Sequence, residues 1–349
     1  MNPLQAELPI WRGSYTLPRC LHTRSYIVVA LPFKEQLLIS RIRHAIPKRT
    51  HAVSAGVGDD CAILRVPASH ETLVTTDFSL EGMHFRREWH SPDVVGHRSL
   101  TRGLSDIAAM GGTPIAAFLS LALPRDLPQR WIDRFLKGLL HLARDFDVVL
   151  AGGDTAESPD GILADIVVVG SVPKGQAIRR SGARSGDRIY VTGLLGGSAA
   201  TLEWLQSGKN VRPKYHAPHF HPTPRIAVGR ALREKGLASA MIDISDGLST
   251  DLHHVCEESG VGAEIQADAI PLAKIGRPAQ KVDLRHALHG GEDYELLFTA
   301  KAGKTVRRRI AGVPVHEIGK ITRSKNVLLV DKSGRAAQLR PAGWQHFGK

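Results

Sequence analysis

Cysteine is nearly absent, with three in 349 residues (Cys20, Cys61 and Cys256), all far apart. Without a CxxC pair neither a disulfide framework nor a cysteine zinc site is indicated, and a reducing cytoplasm fits. Aromatic residues make up only 5% of the chain and do not interleave with basic ones, which argues against a base-stacking nucleic-acid surface. Long apolar runs are missing as well. Ile27–Phe33, the longest near the start, is far below the ~20 residues that span a bilayer. It is also a poor signal-peptide core, since no small-residue cleavage motif follows it. The expectation is therefore a cytoplasmic protein with no membrane and no nucleic-acid partner.

The common nucleotide loops are missing too. A Walker A loop needs G-x-x-x-x-G-K-[ST], and Gly303-Lys304-Thr305 fails because Phe298 occupies the first glycine position. Gly56-Val57-Gly58 leads into Asp59 and Asp60, and two carboxylates there would repel a dinucleotide pyrophosphate unless metal ions intervened. No H-E-x-x-H, no G-x-S-x-G and no protein-kinase signature occurs.

Charge is plentiful but unevenly placed. The net charge is +12, yet residues 1–50 carry 8 basic and 2 acidic side chains and residues 301–349 carry 12 and 2. The stretch between them holds 26 basic and 30 acidic residues, a balance of −4. The length suggests two domains. Residues 1–33, punctuated by four prolines, read as a poorly ordered extension. Residues 34–46 read as a helix with Leu37, Leu38, Ile42 and Ile46 on one face.

Strands and helices then alternate. Strands are expected at Thr72–Phe78, Ile115–Leu123, Val148–Leu150 and Leu163–Val172, with helices at Pro92–Met110 and Pro128–Phe146. Pro173-Lys174-Gly175 marks a boundary between a domain of residues 34–173 and one of 174–349. The second half repeats the habit, with strands at Arg188–Thr192, Ala240–Ile244 and Glu295–Ala300 and two short ones in the tail. Helices are expected at Ser198–Leu205, Thr223–Lys235 and Leu248–Glu258, with a Pro/His-rich loop at 208–222. The fold class is α/β (α+β) in two domains.

What stands out is a series of acids at segment ends, each beside Gly, Ser or Thr. They are Asp59 and Asp60, Asp77 after Thr75-Thr76, Asp106 after Ser105, Asp154 after Gly152-Gly153, Asp243 and Asp246 flanking Ile244-Ser245, and Glu292-Asp293. Carboxylates at strand ends converge on one sheet edge, where α/β proteins bind ligands. Mg²⁺ takes oxygen ligands and shares them with substrate phosphates, so such acids could hold ATP without a P-loop. Taken singly, each acid is more simply a turn residue, and Asp246 could be a helix N-cap. Asp106 differs, because a carboxylate amid Leu104, Ile107 and Ala108 is costly to bury unpaired. Arg179-Arg180 could contact phosphate or simply be solvated. His216, His219 and His221 default to a surface loop, adjacent His253 and His254 point different ways, and the turn through Gly193, Gly196 and Gly197 is a weak phosphate candidate.

The order of these motifs resembles the thiamine-monophosphate kinase family. It runs from Gly58-Asp59-Asp60, through Thr75-Thr76-Asp77 with Glu81-Gly82-Met83-His84-Phe85, to Leu104-Ser105-Asp106-Ile107-Ala108-Ala109-Met110-Gly111. It continues with Gly152-Gly153-Asp154-Thr155, Arg179-Arg180-Ser181-Gly182-Ala183, Asp243-Ile244-Ser245-Asp246-Gly247 and Gly290-Gly291-Glu292-Asp293-Tyr294. The resemblance implies an aminoimidazole-ribonucleotide-synthetase-like fold. Its N-terminal sheet would pair with a second subunit into a barrel-like homodimer core, beside a C-terminal α/β domain. It implies ATP-dependent phosphorylation of thiamine monophosphate to thiamine diphosphate by direct transfer, with Mg²⁺.

Position by position, Asp59 or Asp60, Thr75, Thr76, Asp77, Asp106, Asp154, Asp243 and Asp246 match Mg²⁺-site positions. Gly153, Asp154, Arg180 and Ser245 match ATP contacts, and His84, Glu292 and Trp344 match substrate contacts. Asp106, Asp154 and Arg180 carry the catalytic expectation. The stretch Ser99-Leu100-Thr101-Arg102-Gly103 departs from the more common Asn-containing version. Sister enzymes on the same fold, which make aminoimidazole ribonucleotide or selenophosphate, are the alternative reading.

Overall fold

Alternating β-branched runs build the first sheet. The structure is a computed structural model and describes residues 35–46, 50–57 and 60–344. The expected extension at 1–33 and the candidate Asp59 lie outside the described residues. Strands β1 (His70–Leu80), β2 (Thr113–Pro124), β3 (Val149–Ser158) and β4 (Leu163–Pro173) pair in the order β1-β4-β2-β3. The pairings are antiparallel except the parallel edge pair β2–β3. β3 runs well past its expected end at Leu150, carrying Gly152-Gly153-Asp154 within the strand. Sequence patterning undercounts it because apolar alternation stops at Ala151, while backbone pairing with Phe118–Pro124 continues. A Cβ at Gly153 would sit 1.8 Å from the Leu119 carbonyl oxygen, so only glycine lets the two strands approach there.

Helices α1 (Pro92–Ala109) and α2 (Gln129–Asp145) cover one face of this sheet. α1 starts at Pro92, whose missing N–H costs nothing at a first helical position. It is buried along most of its length, including the polar residues Arg98, Ser99, Thr101 and Ser105. Glycine sets its neighbours. A Cβ at Gly138 of α2 would lie 1.9 Å from the Asp93 oxygen, and one at Gly96 would lie 2.0 Å from the Phe135 oxygen.

The second half centres on a longer sheet. Strands β5 (Arg188–Thr192), β6 (Ala240–Ile244), β7 (Gly262–Gln266), β8 (Glu295–Ala300), β9 (Val313–Thr322), β10 (Val327–Val330) and β11 (Ala336–Gln338) run in the order β11-β10-β7-β9-β5-β8-β6. A two-residue strand, Arg309–Ile310, pairs with β9 off this path. The ten-residue β9 and the five-residue β7 are longer than, or additional to, the two short tail strands expected. The longer helices are α3 (Gly197–Gln206), α4 (Ile226–Glu234), α5 (Leu248–Ser259) and α6 (Leu284–His289). The expected helix at Thr223–Lys235 begins only at Ile226, since Pro224 precedes it.

One apolar core joins both halves. Leu100, Leu104 and Ile107 of α1 pack with Phe135 and Leu139 of α2 and with Met241, Phe298 and Val315 of the second sheet. A second core, including Ile242, Leu252, Ile265 and Leu288, fills the space between the other face of that sheet and helices α5 and α6. A Cβ at Gly229 of α4 would lie 2.0 Å from the Ala108 oxygen, so α1 also sits directly against the second half. Among the described residues no helix is long and apolar enough to cross a membrane.

Candidate active site

A cleft of about 930 Å³ opens where α1 meets the second half. Asp77, His84, Asp106, Arg180, Asp243, Ser245, Asp246, Glu292 and Trp344 all line it. They come from β1 and the loop after it, α1, the segment between β4 and β5, the end of β6 and its turn, the turn before β8 and the tail.

The acids reach this point through specific local structure. Asp77 lies on the inward face of β1, and Asp106 is held by the Thr75 hydroxyl two residues earlier on that strand. Asp243, the penultimate residue of β6, accepts a hydrogen bond from the Ser105 hydroxyl at 2.7 Å. Thus adjacent residues of α1 serve two different strands. The Asp246-Gly247 turn depends on Gly247, whose φ of 119° disfavours a side chain. Asp246 is not the cap of α5. Buried Asp251 in the first turn accepts the Asp246 and Gly247 N–H groups at 3.2 and 3.0 Å. Asp246, Asp251 and His254 bring three metal-ligating atoms within 4.8 Å of one another.

Electrostatics marks this cluster as unusual. Burial pushes Asp77 up to about 7, reinforced by Asp106 and opposed by Arg102. Burial likewise pushes Asp243 up to about 7, with Asp106 adding to it and the Ser105 hydrogen bond opposing. Asp106 is raised by burial against its Thr75 hydrogen bond and Arg180. One oxygen of Asp77 is buried with no hydrogen-bond partner.

Glu292 behaves in the opposite way. Burial works against its charge, but Arg98 and Arg102 hold it far below the usual carboxylate range. Their guanidinium groups donate to its two oxygens at 2.6 and 2.5 Å. Both arginines come from α1, at spacing i, i+4, with Asp106 another four residues on. That spacing puts all three on one helix face, and it is the signal by which the arginines could have been found from sequence. Glu292 and Tyr294 both adopt positive φ, 65° and 52°. Neither is glycine, so the turn holds local strain beside the cleft.

His84 accepts the Leu80 N–H on Nδ1 at 3.0 Å, which leaves the proton of the neutral ring on Nε2. Trp344 is placed by its backbone. The N–H groups of Gly343 and Trp344 donate to Thr250 Oγ1 and the Asp246 oxygen at 3.0 and 3.1 Å.

Other candidates lie elsewhere. Thr76 is on the outer face of β1 and donates to Asp165 at 2.7 Å. Gly153 and Asp154 are on β3, three strands from β1 in the sheet order. That is roughly 14 Å at about 4.8 Å per strand. Asp154 is exposed, and its carboxylate accepts the Thr155 N–H at 2.8 Å. Asp60 is exposed and outside the cleft lining. The Gly193–Gly197 turn is no phosphate cradle. Asp293 already accepts the Gly196 and Ser198 N–H groups, at 2.6 and 3.4 Å. His216 and His219, expected on a surface loop, are buried. The segment folds into a short helix, Ala217–Phe220, packed against α3.

Comparison with known proteins gives the class first. Residues 58–172 match the AIR synthase related protein N-terminal domain, and residues 184–332 match its C-terminal domain. Among curated relatives, the thiamine-monophosphate kinase of Salmonella typhimurium is 38% identical over 323 residues, covering 89% of this chain and 97% of the relative. That of Bacillus subtilis is 33% identical over 320 residues, covering 87% and 98%. The chain belongs to the thiamine-monophosphate kinase family.

Solved structures agree. A thiamine-monophosphate kinase from Stenotrophomonas maltophilia aligns with TM-score 0.75 at 35% identity, covering 88% of this chain and 99% of that one. AaThiL complexed with AMPPCP and TMP aligns with TM-score 0.71 at 33% identity, covering 84% and 93%. The hydrogenase maturation protein HypE, in complex with ATP, aligns at TM-score 0.73 but only 18% identity, a likeness of fold alone.

Proposed function

We infer that the chain transfers a phosphoryl group from ATP to thiamine monophosphate, giving thiamine diphosphate and ADP. The observation that carries this reading is the cleft itself. Its lining combines carboxylates and Arg180 with Met83, Phe85, Trp89 and Trp344. A phosphorylated heteroaromatic substrate needs both. The solved relative AaThiL complexed with AMPPCP and TMP supports the same pairing of ligands.

The acceptor phosphate oxygen is the nucleophile and is largely ionised near neutral pH, so no strong general base is required. The barrier lies in bringing two polyanions together, and positioning with charge neutralisation dominates. Arg180 supplies positive charge at the cleft wall. His84, Glu292 and Trp344 hold the acceptor, while Ser245 and Arg180 contact ATP.

The residues fit Mg²⁺. A buried, unpartnered carboxylate oxygen on Asp77, crowded by Asp106 and Asp243, is the donor set a hard cation takes. Asp77, Asp106, Asp243 and Asp246 would hold it, with Thr75 orienting Asp106. Bound Mg²⁺ would neutralise the phosphate charge that builds up during transfer.

A homodimer completes the reading. The outer face of the first sheet exposes Val74 and Phe78, 66% and 55% accessible. An apolar sheet face of this kind suits pairing with a second copy. Residues 34–173 then serve as the ATP-binding and dimerisation domain and 174–349 as its α/β partner. Among the described residues Cys61 and Cys256 are free thiols, which fits a cytoplasmic location.

The test is ADP release by the purified protein. It should need Mg²⁺ and thiamine monophosphate and should not occur with unphosphorylated thiamine. Equal turnover with thiamine would refute the acceptor assignment.

A further inference from the structure

A chain of buried side chains ends at the hydroxyl of Ser198, a residue that lines the same cleft. His90 Nε2 lies 2.9 Å from His219 Nε2, and His219 Nδ1 lies 3.0 Å from Ser198 Oγ. All three residues are buried, and Ser198 and His219 both line the cleft. Two neutral imidazoles facing each other through Nε2 share one proton, so fixing one tautomer fixes the other.

The backbone decides the direction. The Arg86 N–H donates to His90 Nδ1 at 3.2 Å. The Arg86 carbonyl is also 3.2 Å from that nitrogen, but it already accepts the Trp89 and His90 N–H groups at 3.0 and 2.9 Å. With that carbonyl already engaged twice, the arrangement favours His90 Nδ1 as the acceptor, with the ring proton on Nε2. His219 Nε2 accepts that proton's hydrogen bond, and His219 carries its own proton on Nδ1, which donates to Ser198 Oγ. Burial, with Arg98 nearby, keeps both rings neutral near pH 7: His90 is pushed down to about 4 and His219 well below its usual value.

Ser198 is left with one proton and no other protein partner for its hydroxyl among the described residues. Thr201, one turn on, makes the contrast. Its hydroxyl also meets a buried histidine, His216, at 3.0 Å, but donates back to the Gly197 carbonyl at 2.8 Å. At the first turn of α3, Ser198 has no preceding helical carbonyl to take its proton. Apolar and aromatic side chains share the cleft lining with Ser198. Leu202 follows on the same helix face, and Phe85 and Trp89 lie on the loop that carries His90. The nearby cations Arg98 and Arg102 are committed to Glu292.

We propose that Ser198 is a specificity-determining residue whose hydroxyl donates a hydrogen bond to an uncharged ring nitrogen of the acceptor's heteroaromatic base, with His219 and His90 as positioning residues. This rests on the acceptor being thiamine monophosphate, whose aminopyrimidine ring offers two such nitrogens.

The experiment compares thiamine monophosphate with its 1′-deaza and 3′-deaza pyrimidine analogues, in the wild type and in Ser198→Ala, by ADP release. One deaza analogue should raise the wild-type acceptor KM by about threefold to tenfold, the worth of one hydrogen bond. Ser198→Ala should raise KM for the parent by a similar factor. It should lose nothing further on that analogue and should keep its KM for ATP within about twofold. Equal additional losses on both substrates, or no loss with either deaza analogue, would overturn the proposal. Absence of any wild-type turnover with the parent would instead refute the acceptor reading. A second measurement needs no variant. The ¹⁵N shifts of the unmodified protein should show His90 protonated on Nε2 and His219 on Nδ1. The reverse tautomers would make Ser198 a donor to His219 and remove its role.

Discussion

Mg²⁺ binding in the absence of nucleotide should depend steeply on pH. Asp77 and Asp243 both sit at about 7 because burial and repulsion from Asp106 oppose their charge, whereas an unperturbed aspartate titrates near 4. A cation binds the carboxylate form, so each group must lose its proton first. Between pH 8 and pH 6 a carboxylate of pKa about 7 weakens apparent affinity by about tenfold, and two together by about a hundredfold. Ordinary carboxylates would change it by only a few per cent over the same range.

The same linkage should govern folding. Raised pKa values mean that the folded state holds protons which the unfolded chain has already released. Their contribution to stability is fully present below pH 4 and is lost as pH rises through about 7. The metal-free protein should therefore lose thermal stability between pH 5 and pH 8, and Mg²⁺ should restore it mainly at the alkaline end. Thermal-shift titrations with Mg²⁺ at pH 6, 7 and 8, at constant ionic strength, measure both effects. Asp77→Asn should roughly halve the logarithmic pH slope. A flat profile, or one unchanged by Asp77→Asn, would refute the assignment of these acids to the cation.

Asp106→Asn should lose most of the turnover while melting normally, and near-wild-type ADP release from the folded variant would sink its catalytic role. Glu292→Gln leaves Arg98 and Arg102 buried beside a neutral amide, which should cost about 3 kcal/mol and show as a lowered Tm together with a raised acceptor KM. Gly138→Ala gains about 1 kcal/mol of helix propensity, but its new Cβ would sit 1.9 Å from the Asp93 oxygen. The expected result is a net loss in denaturant melts, and a gain would mean that α1 and α2 can move apart freely. Phe78→Asp, on the exposed sheet face, should yield monomers by sedimentation. An unchanged sedimentation coefficient would place the dimer contact elsewhere.

Much of the framework is legible in the sequence because its signals are local. Pro92 marks the start of α1, and the short apolar runs at Ala240–Ile244 and Glu295–Ala300 bound β6 and β8. Asp106 stands out because a carboxylate amid Leu104, Ile107 and Ala108 demands partners, and Thr75 and Arg180 supply them. What stays hidden depends on residues far apart in the chain. The clamp on Glu292 spans 190 and 194 residues, and no window of sequence contains it. Burial of His216 and His219 follows from packing on α3, although a Pro- and His-rich segment reads as surface. The turn at Gly196-Gly197 has the composition of an anion cradle, but Asp293, nearly a hundred residues away, takes its N–H groups.

The contacts of α1 also bear on motion. One rigid helix carries Arg98, Arg102, Ser105 and Asp106, and glycine lets its backbone touch both α2 and α4 without intervening side chains. A rod gripped on two sides leaves no room for the halves to swing about it as separate bodies. Access to the cleft must then come from its rim, through the loop at 82–90 and the segment bearing Trp344. In hydrogen exchange the amides of the helix interior should open only with the whole molecule, while those of the rim exchange far sooner.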